Sequence, residues 1–420
     1  MRSHNFAKNI HYSWFITLGT SLIFFLSAGL SGGMFAIFLP GLVEKMNLSY
    51  SQASFIPTLS GFVGLFVMLF VRKIINSIGI SKTMILGGLF ITFGTFITSS
   101  LKSLGILYLG AVIIGLGYGL CSTIPISMLI VRWFNKKIGF AIGLTFAGSG
   151  IAVILGSPIF SYIILNFGLR RAYIVLSLTI LLTTIIASVL LRDYPKDKNL
   201  TAYGSIEMLT NNKGIFDDDN KDLLYKSNHD SRRFYLFIIV IILMSIPIRA
   251  IVSHMSSILI SKGVDPYVSM NMVSIFGFSM VISKMLYGYI MDKLGSYKTI
   301  LLTFPIWLLT ITLYFVLDLN IFFVILFSLI IGIGPAIGTV PIAVWVSELF
   351  GKSDIEKNLP IAQIFANFGA AVGIYILGVL VDLTGDYSLG MTIMFSLTLV
   401  SFILLGYFYR KRNNINKTES

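Results

Sequence analysis

The sequence predicts an all-α membrane protein, with twelve transmembrane helices arranged as two pseudo-symmetric bundles of six. Three observations predict it. Of the 420 residues, 56% are hydrophobic and only 12% are charged, with a mean hydropathy of +0.88, whereas soluble domains carry about 25% charged residues. Apolar runs long enough to cross a bilayer, about 20 residues each, recur twelve times along the chain. The two halves of the chain also repeat at a fixed offset.

The elements follow in order. The opening "MRSHNFAKNIHYS" is weakly basic. The apolar run behind it, 14–42, is too long for a signal-peptide core and shows no small-residue cleavage site, so it reads as a retained first span. Segments 51–71, 83–101, 104–131, 138–165 and 172–191 complete the first set. The stretch from Arg192 to Arg233 is polar, contains "DDD" at 217–219, and is the strongest break in the chain. Segments 234–260, 268–291, 299–317, 320–347, 358–381 and 387–409 form the second set. The expected organisation is an N-terminal bundle over 1–191, a cytoplasmic linker over 192–233 and a C-terminal bundle over 234–420. The single cysteine, Cys121, sits in an apolar segment and rules out an intramolecular disulfide.

Charge placement sets the orientation. If both termini are cytoplasmic, 24 of the 31 Lys and Arg residues fall on the cytoplasmic side, as the positive-inside bias requires. Only Lys45, Lys102, Arg170, Arg171 and Lys262 fall outside, and Arg249 and Lys284 fall within spans. The net charge of +13 is therefore a matter of topology. It is scattered between apolar segments, which argues against a nucleic-acid partner. The expected location is a cell (inner) membrane, and the expected state is a monomer.

The repeat has an offset of 216 residues. It brings "NSIGISKT" at 76–83 onto "DKLGSYKT" at 292–299, Pro125 onto Pro341, and Phe134 and Lys136 onto Phe350 and Lys352. Such a fixed period marks a duplicated unit. Two related six-span halves imply a cavity where they meet, near the bilayer midplane.

All 18 acidic residues can be placed, and none lies deep in a span. Arg249 and Lys284 do. A charge at a helix centre costs about 2.5–3.5 kcal/mol on insertion scales, and no intramembrane carboxylate offsets either one. A wet cavity and an anion that comes and goes would supply the counter-charge. For Lys284 the rival reading is snorkelling toward the near edge. For Arg249, two residues after Pro247, it is bonding to backbone carbonyls that the proline frees. His254 is the other deep titratable group. It either hydrogen-bonds cargo, carries a coupled proton, or is a packed polar residue bonded to a neighbouring helix. Gln363 and Asn367 share one helical face at i and i+4 and either orient a carboxylate or bond between helices. The run "DDDNKD" at 217–222 reads as a solvated loop in preference to a metal site. No phosphate loop, metal-ligand spacing or catalytic triad is present, so neither an enzyme nor an ATP-driven pump is expected, and no cofactor.

Over nearly its whole length the layout resembles the major facilitator superfamily, and more closely its monocarboxylate-transporter and oxalate–formate-antiporter branch. The stretch "GLGYGLCSTIPISMLIVRWFNKKIGFAIGLTFAGSG" at 115–150 carries the likeness. It holds the alternating Gly115, Gly117 and Gly119, the run Arg132, Trp133 and Phe134, the basic Lys136 and Lys137, and the small-residue helix with Gly143, Ala147, Gly148, Ser149 and Gly150. "FGLRRAY" at 167–173 resembles a Gly-Trp-Arg element, with Leu169 in place of tryptophan, and "DLTGDY" at 382–387 resembles the element before the last span.

The resemblance implies roles. Lys284, Gly288 and Asp292 match a spacing in which the family's arginine binds substrate carboxylate; lysine keeps the charge but not the planar fork. Bacterial relatives also carry a histidine near His254. Asp292, Lys293 and Gly295, with the weaker Asn76, Gly79 and Lys82, match a cytoplasmic loop that gates alternating access. Oxalate carriers place a lysine where this chain has Ala366 or Asn367, which argues against oxalate. Animal monocarboxylate carriers place an aspartate where this chain has Met280, so that proton-coupling pair is missing. The expected function is secondary transport of a small organic anion, a monocarboxylate, by exchange or proton symport. The alternatives are a drug or siderophore-type exporter of the same fold and a non-transporting nutrient receptor.

Overall fold

The computed structural model describes residues 11–204, 231–318, 320–350 and 355–418. The acidic run at 217–222 lies outside the described residues. Eleven continuous helices are long and apolar enough to cross a membrane, and a twelfth span is a helix pair bent by 40°. In chain order they are α1 (Ser13–Met46), α2 (Tyr50–Ile78), α3 (Ile80–Thr98), α4 (Leu104–Trp133), α5 (Ile138–Phe167) and α6 (Leu169–Leu190), then α7 (Arg232–Ser261), α8 (Pro266–Leu294), α9 (Ser296–Val316), the bent α10 (Ile321–Ile337 and Ile342–Phe350), α11 (Asn358–Thr384) and α12 (Ser388–Arg410). The protein is a multi-pass integral membrane protein of two six-helix bundles.

The repeat extends to the element boundaries. Adding 216 to Tyr50 and Ile78 gives Pro266 and Leu294, the ends of α8. Even the breaks correspond: α4 is interrupted after Leu120, and α10 after Ile337. Gly79 and Gly295, 216 apart, join consecutive helices with φ of +92° and +77° and ψ of 163° at both. Side-chain-bearing residues rarely adopt that conformation, so the glycines shared by "NSIGISKT" and "DKLGSYKT" are dictated by the turn.

Local chemistry ends the helices where the sequence permits. Ser49 and Gln52 form a reciprocal capping box at the start of α2. Asp265 accepts from the Tyr267 and Val268 amides, with Pro266 at the first helical position of α8. The alternating glycines of α4 have a geometric reason. Residues two apart point to nearly opposite sides of a helix. Gly115 and Gly119 lie against the backbone of α2, and Gly117 lies against Gly87 of α3. α4 is thereby wedged between two neighbours with its backbone in contact with both, the packing mode open to helices in lipid. The Arg132, Trp133 and Phe134 run is scaffold too. The buried Trp133 indole donates to the Arg192 carbonyl at 2.8 Å, tying the end of α4 to the chain leaving α6.

Among the described residues the two bundles meet from the middle of the helices to one end. α5 and α8 are in close contact where Gly150 meets Val281 and Gly277 meets Val153. One heptad away on the same faces, a Cβ added at Gly143 or Gly288 would meet nothing within 4 Å. The same bias holds for the hydrogen bonds between halves. Ser157 donates to the Met270 carbonyl and Ser274 to the Ile154 carbonyl, both at 2.6 Å. Thr58 donates to the Ala371 carbonyl at 2.8 Å. The Asp382 carboxylate accepts from the Tyr50 and Ser51 amides at 2.7 and 2.8 Å. All these lie toward the end remote from the inter-bundle linker, here called the far end. At the linker end the halves are splayed.

Candidate functional site

A cavity of about 410 Å³ lies between the bundles, within the range of small-molecule sites. Its walls are helical stripes. On α8, Phe276, Met280 and Lys284 follow one another at four-residue steps; on α7, Ser245, Ile248, Arg249 and Val252 share the facing side. The first half contributes mostly small residues and neutral hydroxyls, among them Ser27, Ser31, Tyr118 and Ser122. No Asp, Glu or His lines the cavity among the described residues. The hydroxyls of Ser122 and Ser245 are buried there without a hydrogen-bond partner.

Arg249 and Lys284 are therefore brought into the wall of one cavity. Their depths differ. Arg249 is 12 residues from the far end of α7 at Ser261, about 18 Å of rise, and Lys284 is 18 residues from the far end of α8 at Pro266, about 27 Å. Lys284 stands nearer the mouth. It has no hydrogen-bond or ion-pair partner among the described residues. Arg249 has one: its Nη2 donates to the Gly32 carbonyl at 3.1 Å. The carbonyls near Pro247 on its own helix are not its partners, contrary to the rival reading of that residue. Beside this contact the Tyr118 hydroxyl donates to Ser31 Oγ at 2.9 Å.

The Gly32 contact depends on an irregularity within α1. Residues Phe25–Gly33 are π-helical, between α-helical Ser13–Phe24 and Phe35–Met46. π-Helical insertions are rare and concentrate at functional sites. The segment reads "FLSAGLSGG"; its small residues were the available signal, although hydropathy counts them only as part of a span.

His254 is placed elsewhere. It is fully buried and does not line the cavity. Its Nε2 faces the Ile374 carbonyl at 3.2 Å and Ser54 Oγ at 3.0 Å, and its Nδ1 faces the Tyr387 hydroxyl at 3.1 Å. A carbonyl can only accept, so Nε2 carries the proton and Nδ1 accepts from Tyr387. The ring is a packed inter-helix group of the far end, which bonds α7 to α2 and α11. Asn367 does line the cavity, and its Nδ2 donates to the Gln363 carbonyl at 2.9 Å. The Gln363 side chain is half-buried outside the cavity lining.

The loop residues lie at the splayed linker end. Asn76, Asp292 and Lys293 are exposed, and no hydrogen bond between halves involves them among the described residues. Lys293 sits over the Tyr289 ring at 4.6 Å. The acid that serves the first-half turn is Asp193, which accepts from the Ile80 and Ser81 amides at 3.1 and 2.7 Å. It caps α3 from the chain just beyond α6.

Twelve spans in two repeated bundles, splayed around a midplane cavity, define a secondary-transporter scaffold. A model of the Major Facilitator Superfamily matches residues 21–271 and 237–420. The chain belongs to that superfamily. Among curated proteins it is similar to monocarboxylate transporter 12 of Mus musculus, 22% identical over 421 residues, covering 94% of this chain and 85% of the relative. It is also similar to monocarboxylate transporter 4 of Gallus gallus, 28% identical over 171 residues, covering 39% and 35%. Among solved structures, the xylose transporter XylE from E. coli superposes with a TM-score of 0.71 at 13% identity, covering 94% of this chain and 98% of that one. The nucleoside transporter NupG gives 0.68 at 12% identity, covering 96% and 99%. These curated relatives are named as monocarboxylate transporters, and the solved structures attest the fold.

Proposed function

We propose that this protein carries a small organic anion, a monocarboxylate, by alternating access, and that Arg249 and Lys284 bind its carboxylate. The observation that carries this reading is the charge of the cavity: two cations, no lining carboxylate among the described residues, and one cation without a partner. A buried uncompensated cation is expensive, and an anionic cargo removes that cost while bound. An exporter of cationic or apolar drugs would face the same cations with no benefit. The curated relatives, named as monocarboxylate transporters, agree with an anionic cargo. With the termini cytoplasmic, as the distribution of Lys and Arg favours, the splayed end faces inward and the conformation is inward-open.

The cavity wall bears no acid among the described residues, and the His254 ring is engaged by three partners. This favours exchange or anion uniport over proton symport. Asn367 would serve as a neutral orienting amide, and Asn76, Gly79, Asp292, Lys293 and Gly295 as the loops that meet when the linker end closes. The test is counterflow in proteoliposomes against labelled formate, lactate and benzoate. Wild-type protein should accumulate at least one of them, and Arg249→Ala and Lys284→Ala should each abolish that flux at unchanged yield. Near-normal flux in both variants would sink the site.

A further inference from the structure

The Arg249 contact crosses from the second bundle to the first. Among the described residues it is the only hydrogen bond between halves made by a charged side chain that lines the cavity. We propose that the Gly32 carbonyl, presented by the π-helical segment Phe25–Gly33, is the resting counter-group of Arg249 in the empty carrier, and that cargo carboxylate displaces it. The inference rests on the proposed anion site and adds to it a positioning device in the first half.

Three features converge on it. The carbonyl belongs to a segment that is not α-helical, directly before the α-helical pattern resumes at Phe35. A change of helical register disturbs the regular bonding along the axis and lets a backbone oxygen tilt toward a neighbouring helix. The position is a glycine, and a Cβ there would lie 3.4 Å from Arg249 Nη2 and 3.6 Å from the Tyr118 hydroxyl. Any larger side chain would occupy the space through which the guanidinium reaches the oxygen. The flanking Ser31 is held by the Tyr118 hydroxyl, which fixes the segment against α4.

The physical consequence is competition. A neutral carbonyl satisfies part of the guanidinium's donor set without neutralising it. A carboxylate offers a full charge and two oxygens in matching geometry. Arg249 would thus be partly compensated when the cavity is empty and fully compensated when it is loaded. Release of Gly32 would pass the information that cargo has bound from the second bundle to the first. Weakening the tether should then tighten cargo binding, because the competitor is gone, and should hinder reorientation of the empty carrier, because Arg249 has lost its resting partner.

The experiment uses full-length protein in proteoliposomes with whichever of formate, lactate or benzoate the wild type carries. Gly32→Val is expected to lower the half-saturating concentration about three- to tenfold, the scale of a partly lost charged hydrogen bond. It should also depress net flux into empty vesicles more than exchange flux. Gly32→Ala should do both more weakly, and it decides the matter alone if the valine variant does not fold. A simple packing defect would lower yield or both fluxes together and would not tighten binding. An unchanged or raised half-saturating concentration in the folded variants overturns the tether. If the wild type carries no carboxylate at all, the anion site itself is what fails.

Discussion

The closed far end is held by a carboxylate, and that makes it open to a quantitative test. Asp382, in the last turn of α11, accepts from the first two amides of α2 at 2.7 and 2.8 Å. It joins one bundle to the other and places a negative charge on a helix N-terminus. Any state open at the far end must break both bonds. Charged hydrogen bonds contribute about 1.5–3 kcal/mol each when shielded, but Asp382 is exposed and water competes. About 0.5 kcal/mol for each bond and 0.3–1 kcal/mol for the helix terminus give roughly 1.3–2 kcal/mol in all. That is a ten- to thirtyfold bias toward far-end closure, at about 1.4 kcal/mol per decade. Asp382→Ala should remove the bias, and Asp382→Asn, which keeps one acceptor, about half of it on the same scale. The assay is the maleimide labelling rate of Phe55→Cys in a Cys121→Ser background, since Phe55 packs against Tyr375 of the other half at the far end. Labelling should rise severalfold with the asparagine and about tenfold with the alanine. An unchanged rate in both variants would refute the latch.

Other outcomes follow from the same geometry. Lys284→Arg should retain transport, because the position nearer the mouth has room and no competing partner, and it should bind the carboxylate more tightly through the guanidinium fork; loss of flux equal to that of Lys284→Ala would show that lysine's compact charge is required. His254→Gln should leave the ratio of flux with and without an imposed pH gradient unchanged, while faster labelling of Phe55→Cys reports a loosened far end; a changed ratio would return the histidine to proton coupling. Gly117→Leu should sharply reduce the yield of folded protein, because its side chain would meet the Gly87 backbone and Ile91, with overpacking costs of about 1–3 kcal/mol or more; wild-type yield on size-exclusion chromatography would contradict the wedge.

The twelve spans are legible in the sequence because lipid imposes a simple rule of length and hydropathy, and the repeat is legible because Gly79 and Gly295 answer to one backbone conformation. The cations Arg249 and Lys284 stand out because a charge in an apolar run is conspicuous. Their surroundings do not. The Gly32 carbonyl carries no side-chain signature, and the π-helical segment Phe25–Gly33 packs mainly against α5 of its own bundle, a tertiary contact that hydropathy does not report. The sequence neighbourhood of His254 shows depth in the membrane but not direction, so cargo binding, proton transfer and packing all fit it. Its partners Ser54, Ile374 and Tyr387 come from distant parts of the chain. Asp193 and Asp382 are legible as acids outside the spans, yet capping a helix from another part of the chain is a tertiary fact.

The 216-residue offset also pairs the two cations with counterparts in the first bundle. Arg249 maps onto Gly33 and Lys284 onto Met68, and both counterparts line the same cavity. A duplicated scaffold has thus become polarised at its centre, with one copy bearing the charge and its twin bearing a gap and a thioether at the equivalent places. Arg249 reaches across to Gly32, the residue next to its own mirror position. The ancestral axis of symmetry runs close to this contact, where a rocking motion displaces atoms least. A short hydrogen bond between halves can survive there until cargo, and not the motion itself, breaks it.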